Sequence, residues 1–85
     1  MQYKQVINKV NQLFKKYGLH YEMREVRDKA YGTICKIYYI PFEGRAKAVS
    51  SGMGPAPCLE YFVYHFEGTD SAKVQALFYE FRNSY

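Results

Sequence analysis

The sequence predicts an α+β fold, a two-layer sandwich in which an N-terminal and a C-terminal helix cover one face of an antiparallel sheet of three to four strands. Three observations carry this prediction. An apolar stripe with helical periodicity begins the chain, period-two alternation replaces it after Gly18, and a second helical stripe ends the chain. We therefore expect one compact domain over residues 1–85 with the element order α-β-β-β-β-α.

The first helix is predicted over residues 3–17. Its apolar side chains recur at every third or fourth position and fall within about a third of the helical wheel, opposite a face rich in lysine and amide side chains. Gly18 follows as a stop signal, because glycine adopts the left-handed backbone that ends many helices. The apolar stripe consists of Tyr3, Val6, Ile7, Val10, Leu13, Phe14 and Tyr17.

Three strands are expected next. Residues 19–27 alternate between apolar and polar side chains, as a half-buried strand does. Residues 33–42 are rich in β-branched and aromatic side chains and form the predicted central strand. Glu43 and Gly44 suit a two-residue turn into a short, polar edge strand over residues 45–49.

The second half of the chain holds one ambiguous segment. Residues 50–57, rich in glycine, serine and proline, are predicted to form a loop. Residues 58–67 fit both a strand and a helix, and their length and aromatic density favour a fourth strand. The last helix is predicted over residues 70–83, with Thr69 or Asp70 as its cap. The residues of the ambiguous segment that match helical spacing are Leu59, Phe62, Val63 and Phe66.

With both helices on one side, the other face of the sheet stays uncovered. A face of mixed aromatic and basic groups is a common way to present a binding surface. The first strand is expected to offer it His20, Glu22 and Arg24. The second strand leaves two alternatives open, because apolar side chains occupy both of its faces. The uncovered set is either Lys36 and Tyr38, or Cys35, Ile37 and Tyr39.

Composition limits the class of protein. Hydrophobic residues make up 48% and charged residues 24% of the chain, an ordinary globular composition. The apolar runs at 37–42 and 61–66 are too short to cross a bilayer, and the first residues lack the pattern of a signal peptide. Two cysteines are too few for a disulfide scaffold, so we expect reduced thiols and a cytoplasmic location.

The sequence contains no recognisable catalytic or metal-binding constellation. His20, Cys35, Cys58 and His65 are scattered over four segments without the spacing of zinc ligands, and neither cysteine lies in a sequence that would activate a thiol. The glycines of residues 52–54 lack the lysine and hydroxyl of a phosphate-binding loop. We expect no enzyme, no cofactor and no metal site.

Residues 13–19 (LFKKYGL), followed by a predicted hairpin, resemble the first half of the double-stranded-RNA-binding domain. The resemblance implies a helix followed by three strands. In that family, a glycine turn and a pair of lysines then open a helix that straddles phosphates. Residues 52–57 supply the glycines and no lysine, so the resemblance is one of topology and does not assign the chain to the family.

The charge of the chain is uneven. The net charge is +4; residues 1–18 carry four lysines and no acid, whereas residues 51–85 carry four acids against two basic residues. A helix face of lysine and amide side chains can contact phosphates, so nucleic-acid binding is the alternative function. The residues expected to serve it are Lys4, Lys9, Lys15, Lys16, Arg24 and Lys36.

Tyrosine is the most over-represented residue type. The chain has ten tyrosines, six phenylalanines and no tryptophan, and tyrosine, with its apolar ring and polar tip, is enriched at protein interfaces. We therefore predict a small, non-enzymatic, intracellular protein-binding module, such as an adaptor or an inhibitor of the kind that mobile elements encode. Self-association through the sheet is a variant of this prediction. The predicted partner-binding residues are Tyr38, Tyr39, Met53, Tyr61, Tyr64 and Tyr79.

Overall fold

The computed structural model describes residues 2–41 and 44–84. Within them the chain forms three helices and one three-stranded antiparallel sheet, so the predicted α+β class is confirmed. The element order is α-β-β-β-α-α, and the predicted order with four strands is wrong. The elements are α1 (Tyr3–Lys16), β1 (Tyr21–Asp28), β2 (Gly32–Tyr39), β3 (Lys47–Gly52), α2 (Pro55–His65) and α3 (Ser71–Asn83).

The end of α1 is fixed by its backbone. Gly18 takes a φ of +68°, which only glycine adopts at no steric cost. The Leu19 amide then donates to the Phe14 carbonyl at 2.9 Å, which satisfies a carbonyl that the last helical turn leaves unpaired. Leu19 and Phe14 are both buried in the core. The apolar stripe of α1 and the first strand are thereby joined through one short turn.

The sheet has the order β1-β2-β3, so β2 is central and both other strands are edges. In the tight β1–β2 turn, the Asp28 carboxylate accepts hydrogen bonds from the Ala30 and Tyr31 amides. Tyr21 pairs with Tyr39 at the far end of the ladder. The predicted turn at 43–44 cannot be compared, because Phe42 and Glu43 lie outside the described residues.

The segment predicted as a fourth strand over residues 58–67 is helix α2, Pro55–His65. Its apolar side chains follow the helical spacing, and Cys58, Leu59, Phe62 and Val63 are buried on one side. The proline at its first position suits a helix start, where no amide partner is needed. The loop predicted over 50–57 shrinks accordingly, because β3 extends through Gly52 and α2 begins only three residues later.

The helices do not lie in the predicted arrangement. α1 packs on β1. The second helix on the sheet is α2, which contacts β2 and β3, and not the C-terminal helix. α3 packs against α1 and α2 instead of lying on the sheet. Five of the six elements, all but β3, contribute buried residues to one continuous core. Its buried residues are Val10, Leu13, Phe14, Leu19, Met23, Cys35, Ile37, Cys58, Leu59, Phe62, Val63, Val74, Leu77 and Phe81.

Candidate functional site

Three exposed tyrosines lie on the outer side of α2 and α3. α2 buries Leu59, Phe62 and Val63, which leaves Tyr61 and Tyr64 on its far side. These two side chains are 56% and 82% exposed. α3 buries Val74, Leu77 and Phe81 in the same way, and Tyr79 is 61% exposed. Because the buried side chains occupy the opposite side of each helix, helical spacing places these rings away from the core.

Two adjoining grooves run beside these tyrosines. One lies between α2 and α3 and has a volume of about 330 Å³, and the other, of about 320 Å³, runs along α2. Glu60 and Tyr64 line both grooves, so the two form one continuous concave region. We call this region the α2–α3 surface. Its principal side chains are Glu60, Tyr61, Tyr64, His65, Phe78, Tyr79 and Arg82.

Ring contacts order several of these side chains. The Tyr61 and His65 rings are stacked with centroids 6.4 Å apart, and the Tyr64 ring meets His65 edge-on at 5.0 Å. On α3, the Arg82 guanidinium lies 5.8 Å from the centre of the Phe78 ring. The α2–α3 surface therefore offers aromatic rings that contact one another or a cation along the helix.

The other predicted partner-binding residues lie elsewhere. Tyr39 belongs to an aromatic cluster at the end of the sheet, with its ring centroid 5.4 Å from that of Tyr21. Met53 is exposed in the β3–α2 turn, where its carbonyl accepts a hydrogen bond from the Tyr3 hydroxyl at 3.0 Å. Tyr38 projects from the uncovered face of the sheet. The six predicted residues thus do not form one site, and only the three tyrosines of α2 and α3 come together.

The uncovered sheet face resolves the alternative that the sequence left open on β2. Cys35 and Ile37 are fully buried under the helices, so Lys36 and Tyr38 face outward. The Arg24 guanidinium lies 5.1 Å from the centre of the Tyr38 ring and also pairs with the Glu22 carboxylate at 3.0 Å. Its hydrogen bond to Glu22 raises the pKa of Arg24 further above an already high value.

The lysines of α1 do not form one free cationic face. Lys4 and Lys15 are exposed, and Lys9 is half-buried. Lys16 donates to the Glu80 carboxylate of α3 at 2.7 Å, and the Tyr17 hydroxyl donates to the same oxygen at 3.0 Å. The hydrogen bond from Lys16 lowers the pKa of Glu80 below its usual range. The contact joins the first and last helices, so Lys16 has a structural role.

The two cysteines are buried, unpaired thiols. Burial raises the pKa of Cys58 to about 11, although a hydrogen bond with Ser50 acts in the opposite direction. Burial also raises the pKa of Cys35. Over residues 2–41 and 44–84, no three His, Cys, Asp or Glu side chains are grouped so that they could hold a metal ion. No helix in the described part of the chain is long and apolar enough to cross a membrane.

Sequence reasoning missed the polar and aromatic neighbours of the three tyrosines. A strand would place Glu60 with Tyr64 on one face and Tyr61 with His65 on the other, whereas a helix brings all four side chains to one side. Phe78 of α3 is half-buried and lines the α2–α3 groove. Two sequence signals could have revealed the surface, the helical spacing of Leu59, Phe62 and Val63 and the proline at the first position of α2.

No protein-family model, curated protein or solved structure matches this chain significantly. The structure does have a helix, three antiparallel strands and a second helix, the order that the resemblance to the double-stranded-RNA-binding domain implies. α2 also opens directly after the glycines at 52 and 54. Its first turn reads Pro-Ala-Pro-Cys, so the lysine pair of that family has no counterpart at this helix start.

Proposed function

We propose that this chain is a small intracellular protein-binding module whose partner docks on the α2–α3 surface. The observation that carries the proposal is the grouping of Tyr61, Tyr64 and Tyr79 around two grooves that share one wall. Two free, buried thiols fit a protein that works under reducing conditions. Adaptor and inhibitor roles both need such a surface and no chemistry beyond it.

Tyr64 is the expected centre of the interface. It is the most exposed of the three rings and lines both grooves, so a partner that fills either groove must contact it. A tyrosine ring offers a large rigid area at low entropic cost, and its hydroxyl can hydrogen-bond at the rim. Buried aromatic anchors of this kind carry most of the affinity of protein interfaces.

The polar side chains of the surface define what the partner must bring. Glu60 lies between the grooves, and Arg82 borders the one between α2 and α3. A partner therefore needs an apolar side chain for the groove, a hydrogen-bond donor or cation facing Glu60, and an acceptor near Arg82. Unmatched, these two charges would lose their hydration on binding without compensation.

The test compares matched tyrosine variants as baits. Wild-type protein, a Tyr64→Ser/Tyr79→Ser double variant and a Tyr31→Ser control would be used to enrich binding proteins, and any partner would then be titrated by calorimetry. Tyr31 is a suitable control because it is 68% exposed but lies on the β1–β2 turn, on neither groove. Loss of at least about 2 kcal/mol, roughly 30-fold in Kd, is expected for the double variant only. Equal binding by all three proteins would contradict the proposal.

A further inference from the structure

The uncovered face of the sheet groups Arg24, Lys36 and Tyr38. We propose that it binds single-stranded nucleic acid, with Arg24 and Lys36 contacting phosphates and the Arg24–Tyr38 pair stacking on a base. The site lies on the side of the sheet opposite the helices, and it does not depend on the protein-binding function of the α2–α3 surface.

Strand pairing brings the three side chains together. Arg24 of β1 and Lys36 of β2 are direct partners in the antiparallel ladder. Two positions further along each strand, Glu22 and Tyr38 form the next pair on the same face. Directly opposed side chains on one face have their Cβ atoms only about 5 Å apart. Two cations therefore stand side by side next to an aromatic ring on the sheet face that the helices leave uncovered.

The placement of these two cations is unfavourable for the isolated protein. Like charges that face each other across a strand pair repel one another and destabilise the sheet. Lys36 forms no ion pair within the described residues, and Arg24 pairs only with Glu22, whose carboxylate is itself nearly half-exposed. An exposed pair of this kind is weak and screened by salt, so a phosphate can replace Glu22. A bound phosphodiester backbone would relieve the repulsion.

The neighbouring strand leaves the site accessible. On β3, Ala48 pairs with Tyr38 and Ser51 pairs with Lys36. Both side chains are small, so they do not block access to the Tyr38 ring. The guanidinium of Arg24 already lies over the Tyr38 ring at 5.1 Å. An unpaired base can stack on the guanidinium plane or take its place over the ring, and both are established ways to hold a base.

The chemistry favours a single strand over other occupants. A protein interface core is depleted in lysine, and a duplex keeps its bases stacked inside, out of reach of a flat sheet. A single strand offers both a phosphate for each cation and a free base for the ring. The net charge of +4 also attracts a polyanion over longer distances.

The experiment is fluorescence anisotropy with short labelled oligonucleotides of mixed sequence, as single-stranded DNA, single-stranded RNA and duplex, over a range of salt concentrations. We expect single strands to bind at low salt, and the DNA and RNA arms show which of them binds more tightly. Tyr38→Ala should raise Kd by about 5- to 150-fold, the range for one lost base stack. Lys36→Gln should reduce the slope of log K against log salt by about 0.7, the value for one phosphate contact on a single strand.

Two exposed turn residues supply the matched controls, Tyr31→Ala and Lys29→Gln, which should leave Kd and the salt slope unchanged. Circular dichroism of each variant separates lost binding from lost folding. Three results would overturn the inference: no binding at low salt, a Kd that does not depend on salt concentration, or a duplex that binds as tightly as the single strand. It is also overturned if Lys4→Gln and Lys15→Gln weaken binding while the sheet variants do not, because binding then belongs to α1.

Discussion

Gly52 of β3 lies so close to Cys58 of α2 that a Cβ atom added to Gly52 would be 2.7 Å from the Cys58 amide nitrogen. The Ser50 hydroxyl donates to the Cys58 carbonyl at 3.0 Å, so the strand also holds the first turn of the helix by a hydrogen bond. This close approach sets the position of α2 on the sheet. It thereby determines which side of α2 faces outward with Tyr61 and Tyr64.

The first prediction concerns this close approach. Gly52→Ala should lower the free energy of unfolding by about 1–3 kcal/mol, because the new methyl group meets rigid backbone and α2 must shift. Urea unfolding followed by circular dichroism measures the change. Ser51→Ala, at the exposed neighbouring position, is the control and should change stability by less than about 0.5 kcal/mol. Equal stability of the two variants would show that the strand and helix are not in close contact.

The second prediction concerns pH and the contact between α1 and α3. Because the hydrogen bond from Lys16 lowers the pKa of Glu80, this carboxylate stabilises the fold above its unfolded pKa of about 4.3. That contribution is lost as the pH falls through the lower pKa of the folded state. Glu80→Gln should therefore lower Tm at neutral pH, and the difference from the wild type should shrink and vanish in strong acid.

The contribution of Lys16 to stability depends on pH in the opposite direction. The hydrogen bond to Glu80 raises the pKa of Lys16, so its contribution is complete below the unfolded pKa of about 10.4 and declines as the pH rises through the folded value. Glu67→Gln, at an exposed carboxylate outside this contact, is the control for loss of a negative charge. A Glu80→Gln effect that stays constant from acid to neutral pH would contradict the assignment.

The third prediction concerns the free edge of β1. The Asn11 side chain accepts a hydrogen bond from the Met23 amide at 2.7 Å and donates one to the Met23 carbonyl at 3.0 Å. Asn11→Ala should lower the free energy of unfolding by about 1–3 kcal/mol, because the backbone groups of a buried residue lose both partners. Asn8→Ala, on an exposed position of α1, should leave it nearly unchanged. Thermal unfolding of the two variants measures the difference. Similar losses of stability in both would mean that the effect comes from helix propensity and not from the hydrogen bonds to Met23.

The fourth prediction concerns the thiols. Cys35 and Cys58 are fully buried, and burial raises the pKa of Cys58 to about 11, so neither presents a thiolate at neutral pH. Iodoacetamide should leave both unmodified in the native protein and alkylate both after unfolding in urea, as mass spectrometry would show. Rapid alkylation of the native protein would mean that one thiol is exposed and activated.

Two elements show why the sequence predicts part of this fold and not the rest. The stripe of α1 is unambiguous because its polar face excludes any period-two interpretation. In residues 58–67 the exposed side of the helix mixes Glu60 and His65 with the aromatic Tyr61 and Tyr64, so its polar character is weaker. The helical spacing of Leu59, Phe62 and Val63 is present, but the aromatic content of the segment favours a strand. The proline at the start of α2 is a second feature that favours the helix.

The sequence predicts that several tyrosines are exposed, but it does not predict which of them lie together on one surface. Ten tyrosines in a small chain imply that several are exposed, and Tyr64 and Tyr79 are among them. Their grouping depends on the packing of α3 against α2, a tertiary contact that no local pattern encodes. The outward direction of Tyr38 likewise depends on which face of β2 the helices cover, because apolar residues occupy both faces.

Site-specific photo-crosslinking would show whether a protein partner docks on the α2–α3 surface. A photoreactive phenylalanine analogue would replace Tyr64 in one sample and Tyr31, the exposed turn residue, in another, with the chain expressed in its native cells. We expect a discrete adduct of one protein, or of a second copy of this chain, with the probe at position 64 and none at position 31. Absence of an adduct at position 64 while position 31 forms one would contradict the proposal.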